Sequence, residues 1–128
     1  MDLGKTLFKV KVERNITEET VYNLLCSAFE GGSNYWYDEL EPLKRSSKAT
    51  NPSDRFYEDM IKHGFTLMDK HTGVLHTVKP LQFKSAFKHI FSNKDFSHIA
   101  SDISNDNMDA DTGDVFLQTV VFKDVIYG

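Results

Sequence analysis

From Thr6 to Glu13 apolar and polar residues alternate, with Phe8, Val10 and Val12 on one side and Lys9, Lys11 and Glu13 on the other. A period of two belongs to a strand with one buried face, so this segment is predicted as an N-terminal strand. The period then lengthens. Val21, Leu24, Leu25, Ala28 and Phe29 fall at i, i+3, i+4, i+7 and i+8, which is one face of a helix. Thr17 is placed to cap that helix, Glu18 and Glu19 suit its positive end, and Ile16 can staple against Val21. Gly31 or Gly32 is expected to end it in a left-handed conformation.

Ser53 is predicted to cap a second helix that carries Phe56, Tyr57, Met60 and Ile61 and stops at Gly64. Phe65 to Met68 and Val74 to Val78 read as a β-hairpin turning through Asp69 to Gly73. Pro80 opens a helix with Phe83, Ala86, Phe87, Ile90 and Phe91 at amphipathic spacing, and Phe96, Ile99 and Ile103 mark a further short one. In the last segment Asp111 and Asp114 fit a capping arrangement, and Leu117, Val120 and Val121 favour a helix over the strand that β-branched residues would suit. Residues 42–53 are rich in Ser, Lys, Arg, Thr and Asn with little to bury, and read as a flexible surface loop within a single domain spanning 1–128. The predicted class is α+β, a small antiparallel sheet of the N-terminal strand plus the hairpin, covered by three or four helices.

Composition narrows the function. With 15 Lys and Arg against 19 Asp and Glu, the formal net charge is -4, so any contact with a nucleic-acid backbone has to be local. There is no apolar run of membrane-spanning length and no signal segment, so the expected location is the cytoplasm. A single cysteine, Cys26, excludes an internal disulfide framework and a thiolate metal cluster, and in that setting the sequon Asn15-Ile16-Thr17 carries no weight. The five histidines show no metal-ligand spacing, and Cys26 sits among apolar helix positions where it behaves as a small hydrophobe. No catalytic residue, metal or cofactor is assigned. Glu18, Glu19, Glu39 and Glu41 form no carboxylate pair that the sequence places in a cleft.

Three strings carry candidate chemistry. In Gly31-Gly32-Ser33-Asn34-Tyr35-Trp36-Tyr37 two glycines permit close backbone approach and aromatics follow, so a ligand such as a nucleotide has amides to bind and rings to stack on. The same string also suits a helix cap whose aromatics close the core. It matches neither phosphate-loop nor dinucleotide glycine spacing. Lys44, Arg45, Lys48 and Arg55 form a basic cluster close to it in sequence, with Arg45 the candidate ligand contact, or else line a solvated loop. Asp102, Asp106, Asp109, Asp111 and Asp114 form an acidic stretch that is not an EF-hand, because Gly113 stands where the fifth ligand belongs and no Glu follows at the twelfth position. Asp102, Asp106, Asp109 and Asp111 are candidate contacts to a protein partner that itself binds DNA; helix caps and solvated turns are the plainer alternative.

The block Leu24-Leu25-Cys26-Ser27-Ala28-Phe29-Glu30-Gly31-Gly32-Ser33-Asn34-Tyr35-Trp36 resembles one found in small tailed-phage and prophage proteins of unassigned function, and the ending Gln118, Phe122, Val125-Ile126-Tyr127-Gly128 is similar to theirs. With the hairpin and helix from Phe65 to Phe91, the resemblance covers about two-thirds of the chain in outline. Lys123 departs from it, standing where the family pattern has a glycine. The resemblance implies a phage accessory protein in the cytoplasm of a bacterial host, and transfers no active-site residue. Two functions follow as expectations: a non-enzymatic inhibitor that occupies a host protein, such as a nuclease or other immunity component, or a sponge for a nucleotide messenger. A small nucleic-acid enzyme is a third.

Overall fold

The computed structural model describes Leu3, Gly4, Thr6, Leu7 and residues 15–128. The predicted N-terminal strand lies outside the described residues apart from Thr6 and Leu7. Among the described residues there is a three-stranded antiparallel sheet, β1 (Tyr37–Pro42), β2 (Phe65–Asp69) and β3 (Leu75–Val78), with α1 (Glu18–Ser27), α2 (Pro52–His63), α3 (Leu81–Ser92), α4 (Ser97–Ser104) and α5 (Ala110–Phe122). The α+β class holds. The sheet order is β1-β2-β3, with Phe65 opposite Val78 in the predicted hairpin and opposite Pro42 on the other side.

β1 was not predicted. Its sequence, Tyr-Asp-Glu-Leu-Glu-Pro, is poor in β-formers, and an irregularity between Asp38 and Glu41, where Glu39 adopts a φ of 51°, breaks the alternation. Pairing with β2 makes it a strand. β2 itself alternates as expected, with Phe65, Leu67 and Asp69 turned inward.

The helix cores match their predicted faces, while three ends differ. Thr17 caps α1, its hydroxyl accepting from the Thr20 amide at 3.2 Å. α1 then does not stop at a left-handed glycine but widens into a π turn, Ala28–Gly32, in which the Ser33 amide donates to the Ala28 carbonyl and Gly31 is extended at φ 175°. α2 is capped by Asn51 rather than Ser53, because Pro52 fits the first helical position and leaves Asn51 free to accept from the Ser53 and Asp54 amides. α5 is a helix, as the spacing of Leu117 and Val120 indicates, but Asp109 caps it rather than Asp111, with the Thr112 amide and hydroxyl both 2.9 Å from Asp109 Oδ1.

α5 is the central element, packed on α1, the π turn, α3 and β3. Trp36, Phe65, Phe116, Leu24 and Leu25 have no exposed surface and form the middle of the core. Residues 43–51 carry no strand or helix, yet the buried Asp59 accepts from the Ser46 and Ser47 amides at 3.0 and 2.7 Å and fastens that segment to α2. Among the described residues no helix is long and apolar enough to cross a membrane.

Three carboxylates are held below their ordinary range. Burial opposes the charge of Asp59, but the Ser46 and Ser47 amides outweigh it; burial likewise opposes Asp69, and the Tyr127 hydroxyl and the His71 amide outweigh it there. At Asp109 the Thr112 amide and hydroxyl lead. A pKa lower folded than unfolded stabilises above the unfolded value, about 3.9 for Asp, and that contribution vanishes as pH falls through the folded values. Urea midpoints measured from pH 7 downward should therefore hold steady until about pH 5 and then fall steeply. Replacing Asp59 with Asn should flatten part of that fall.

Candidate functional site

The π turn and the tight turn after it, in which the Trp36 amide donates to the Ser33 carbonyl at 3.0 Å, aim Ser33, Tyr35 and Trp36 at the first turns of α5. There Asp114 receives them. Its Oδ1 accepts from Ser33 Oγ and from Trp36 Nε1, both at 2.8 Å, and its Oδ2 accepts from the Tyr35 hydroxyl at 2.6 Å. Ser33 and Trp36 are fully buried, so their donors have this carboxylate in place of water. Burial and the bond to Asp114 together push the Tyr35 hydroxyl up to about 12.

One turn further along α5 the fully buried Gln118 extends the network. Its amide nitrogen shares two protons among Asp114 Oδ2, the Tyr35 oxygen and the Tyr127 carbonyl, each at 3.1 Å, while its oxygen accepts from the Ile126 and Tyr127 amides at 2.9 and 2.8 Å. The segment 123–128 is thereby folded back. Tyr127 packs its ring 6.0 Å from that of Trp36 and donates its hydroxyl to Asp69 Oδ2 at 2.5 Å, and Phe122 lies 5.1 Å from the same indole. The chain of bonds from Ser33 through Asp114, Gln118 and Tyr127 to Asp69 ties the end of α1, α5, the final segment and the sheet together. Sequence reading gave Asp114 a capping role and missed Gln118. The available signal was an Asp and a Gln at i and i+4 among the apolar positions Val115, Phe116, Leu117 and Val120, a pair that demands buried partners.

Of the candidate ligand residues, Gly32, Ser33, Tyr35 and Trp36 gather against α5 and Gly31 sits exposed in the π turn. Asn34 is exposed, with its carbonyl accepting from Lys70 Nζ at 2.8 Å. Arg45 is not drawn to them; it pairs with Glu41 at 2.7 Å, both side chains well exposed. The indole face of Trp36 is covered, so stacking a base on it requires displacing residues 123–128. Tyr35 remains 46% exposed.

Of the acidic candidates, Asp111 comes close to Tyr35, Asp102 and Asp109 meet at Thr112, and Asp106 lies apart beside Asn15, Ile16 and Thr20. Asp109 caps α5, and Asp102 accepts from the Thr112 hydroxyl at 3.4 Å, beside it. Asp106 is exposed with a φ of 57°, and Asp111 is exposed and close enough for its charge to raise the Tyr35 hydroxyl. Two strings some 70 residues apart in sequence thus share one surface around the start of α5.

A cleft of about 730 Å³ lies between the start of α1, residues 46–48 and α2, and it brings together Glu18, Glu19, Asp54, Glu58 and Asp59, a meeting of carboxylates that the sequence did not reveal. Three already have partners: Tyr22 donates to Asp54 at 3.0 Å, Ser47 to Glu58, and the loop amides to Asp59. Nearby, burial and Glu30 push the Cys26 thiol up to about 11, far from the range of a nucleophilic thiolate. Among the described residues no group of three His, Cys, Asp or Glu is arranged to hold a metal. Comparison with family models, curated proteins and solved structures returns no match for this chain.

Proposed function

We propose that this chain is a non-catalytic binding protein, a phage accessory factor that occupies a host protein through the acidic and aromatic face around the start of α5. The carrying observation is that Tyr35, held in place by a buried network, stands close to the exposed Asp111 at the start of α5, with Asp106 exposed in the turn that leads into that helix. A fixed tyrosine beside the exposed Asp111 suits a cationic protein surface, where the ring supplies contact area and exposed carboxylates steer approach. A basic, DNA-binding face of an immunity nuclease has that chemistry. A Cys26 thiol pushed up by burial, and the cleft's Asp54, Glu58 and Asp59 engaged in internal hydrogen bonds, favour binding over turnover.

The test is titration of the protein captured from a bacterial lysate against the wild type and an Asp106→Asn/Asp111→Asn variant. Both residues are exposed, so the variant should fold normally, and asparagine tolerates the positive φ of Asp106. A one-to-one complex is expected, weakening as salt rises, with roughly tenfold slower association for the variant. Affinity indifferent to both salt and the substitutions would overturn the reading. A nucleotide panel should leave the melting temperature unmoved, because the Trp36 face is covered.

A further inference from the structure

A second concavity, independent of the acidic face, runs between α3 and α5 with a volume of about 440 Å³. Leu81, Ser85 and His89 line one wall at i, i+4 and i+8, which makes it roughly 12 Å long at the helical rise. Ala86 and Val120 form an apolar floor, and Leu81, 73% exposed, stands at its edge. The ionisable residues of the lining are all bases. Lys79 and Lys123 flank the end where α3 begins and α5 finishes, an end fixed by Gln82 donating to the Val120 carbonyl, and His89 lies two turns further on. α3, which forms one side of the groove, contains no Asp or Glu, in a chain whose net charge is -4.

Lys123 adds a separate observation. Its φ of 64° and ψ of 13° place it in the left-handed region, where a side chain is strained and glycine is at ease. A lysine there gives up stability and sets a cation on the rim of the groove. Strain retained at one position is a pointer to use.

We propose that this groove docks an acidic peptide segment of a partner protein, with an apolar side chain seated on Ala86 and Val120 and carboxylates meeting Lys79 and Lys123. The apolar floor and the two-turn length fit a short peptide. A single-stranded nucleic acid would call for a run of aromatic stacking surfaces, and the lining includes no Phe, Tyr or Trp, while the ring of His89 already packs on Phe96 at 5.3 Å.

The experiment is fluorescence anisotropy with a labelled synthetic peptide of about two helical turns, a central leucine flanked by glutamates, set against the same peptide with lysines and against an oligothymidylate. The glutamate peptide is expected to bind saturably and more weakly as salt rises, and the lysine peptide not to bind. Lys79→Ala with Lys123→Gly should weaken the glutamate peptide at least about tenfold, a loss in line with truncating two charges at an interface. Lys123→Gly alone should raise Tm while lowering affinity, two opposite movements that unfolding cannot produce. Equal affinity for wild type and double variant, absence of saturable binding, or tighter binding of the oligothymidylate would each overturn the proposal. Asp106 and Asp111 are untouched throughout, so failure here leaves the acidic-face reading standing.

Discussion

Replacing Asp114 with alanine is expected to cost about 4 kcal/mol of folding stability, the sum of two buried donors left without an acceptor at about 1–3 kcal/mol each. Ser33 and Trp36 are fully buried and both direct their protons to Asp114 Oδ1. Tyr35 and Gln118, which share Oδ2, lose less, because Tyr35 is half in water and Gln118 keeps the Tyr127 carbonyl. Asp114→Asn separates these contributions. An asparagine oxygen in the place of Oδ1 still serves Ser33 and Trp36, while its amide group faces the Gln118 donor, so the expected loss is only about 1–2 kcal/mol. Urea unfolding followed by the emission of the one tryptophan reads both variants directly. If the two substitutions cost the same, the carboxylate is not acting as the shared acceptor for the buried pair.

The same residues show what the sequence could disclose. Helix faces were legible because burial repeats: Val21, Leu24 and Leu25, or Phe83, Ala86, Phe87 and Ile90, are buried as their spacing requires. The hairpin was legible from its alternation. β1 was not, since Tyr37–Pro42 becomes a strand by pairing with β2 rather than by its own propensities. The caps erred by one local choice each. Asn51 beats Ser53 because Pro52 occupies the first helical position, and Asp109 beats Asp111 because Thr112 returns two bonds to it. The site was half legible. Its strings stood out separately, but their meeting depends on α5 lying against the π turn, and a contact between residues about 80 positions apart leaves no local trace. The Asp114–Gln118 spacing marked a pair in need of buried partners, but which partners Gln118 has was not legible, since its role exists only once residues 123–128 fold back onto it.

The glycines at that seam carry the second large expected effect. A Cβ on Gly32 would lie 2.1 Å from the Ala110 carbonyl oxygen, and one on Gly113 would lie 2.6 Å from the Ala28 amide nitrogen and 2.7 Å from Ser27 Cβ. The atoms met are mostly backbone, which cannot swing aside as a long side chain does. Gly113 lies inside α5, where alanine would gain about 1 kcal/mol in helix propensity, but overpacking at this distance costs about 3 kcal/mol, so destabilisation wins. Gly32→Ala, with the closer clash and no regular α-helix to improve, should lose the full amount. Because both substitutions push the same two elements apart, the double variant should cost less than the two single losses added together. Parting them also draws Ser33 and Trp36 away from Asp114, so each variant should shift tryptophan emission to longer wavelength before unfolding begins. Full additivity, with native emission retained in both single variants, would mean that the two contacts yield locally and that the seam does not hold the acidic and aromatic face in register.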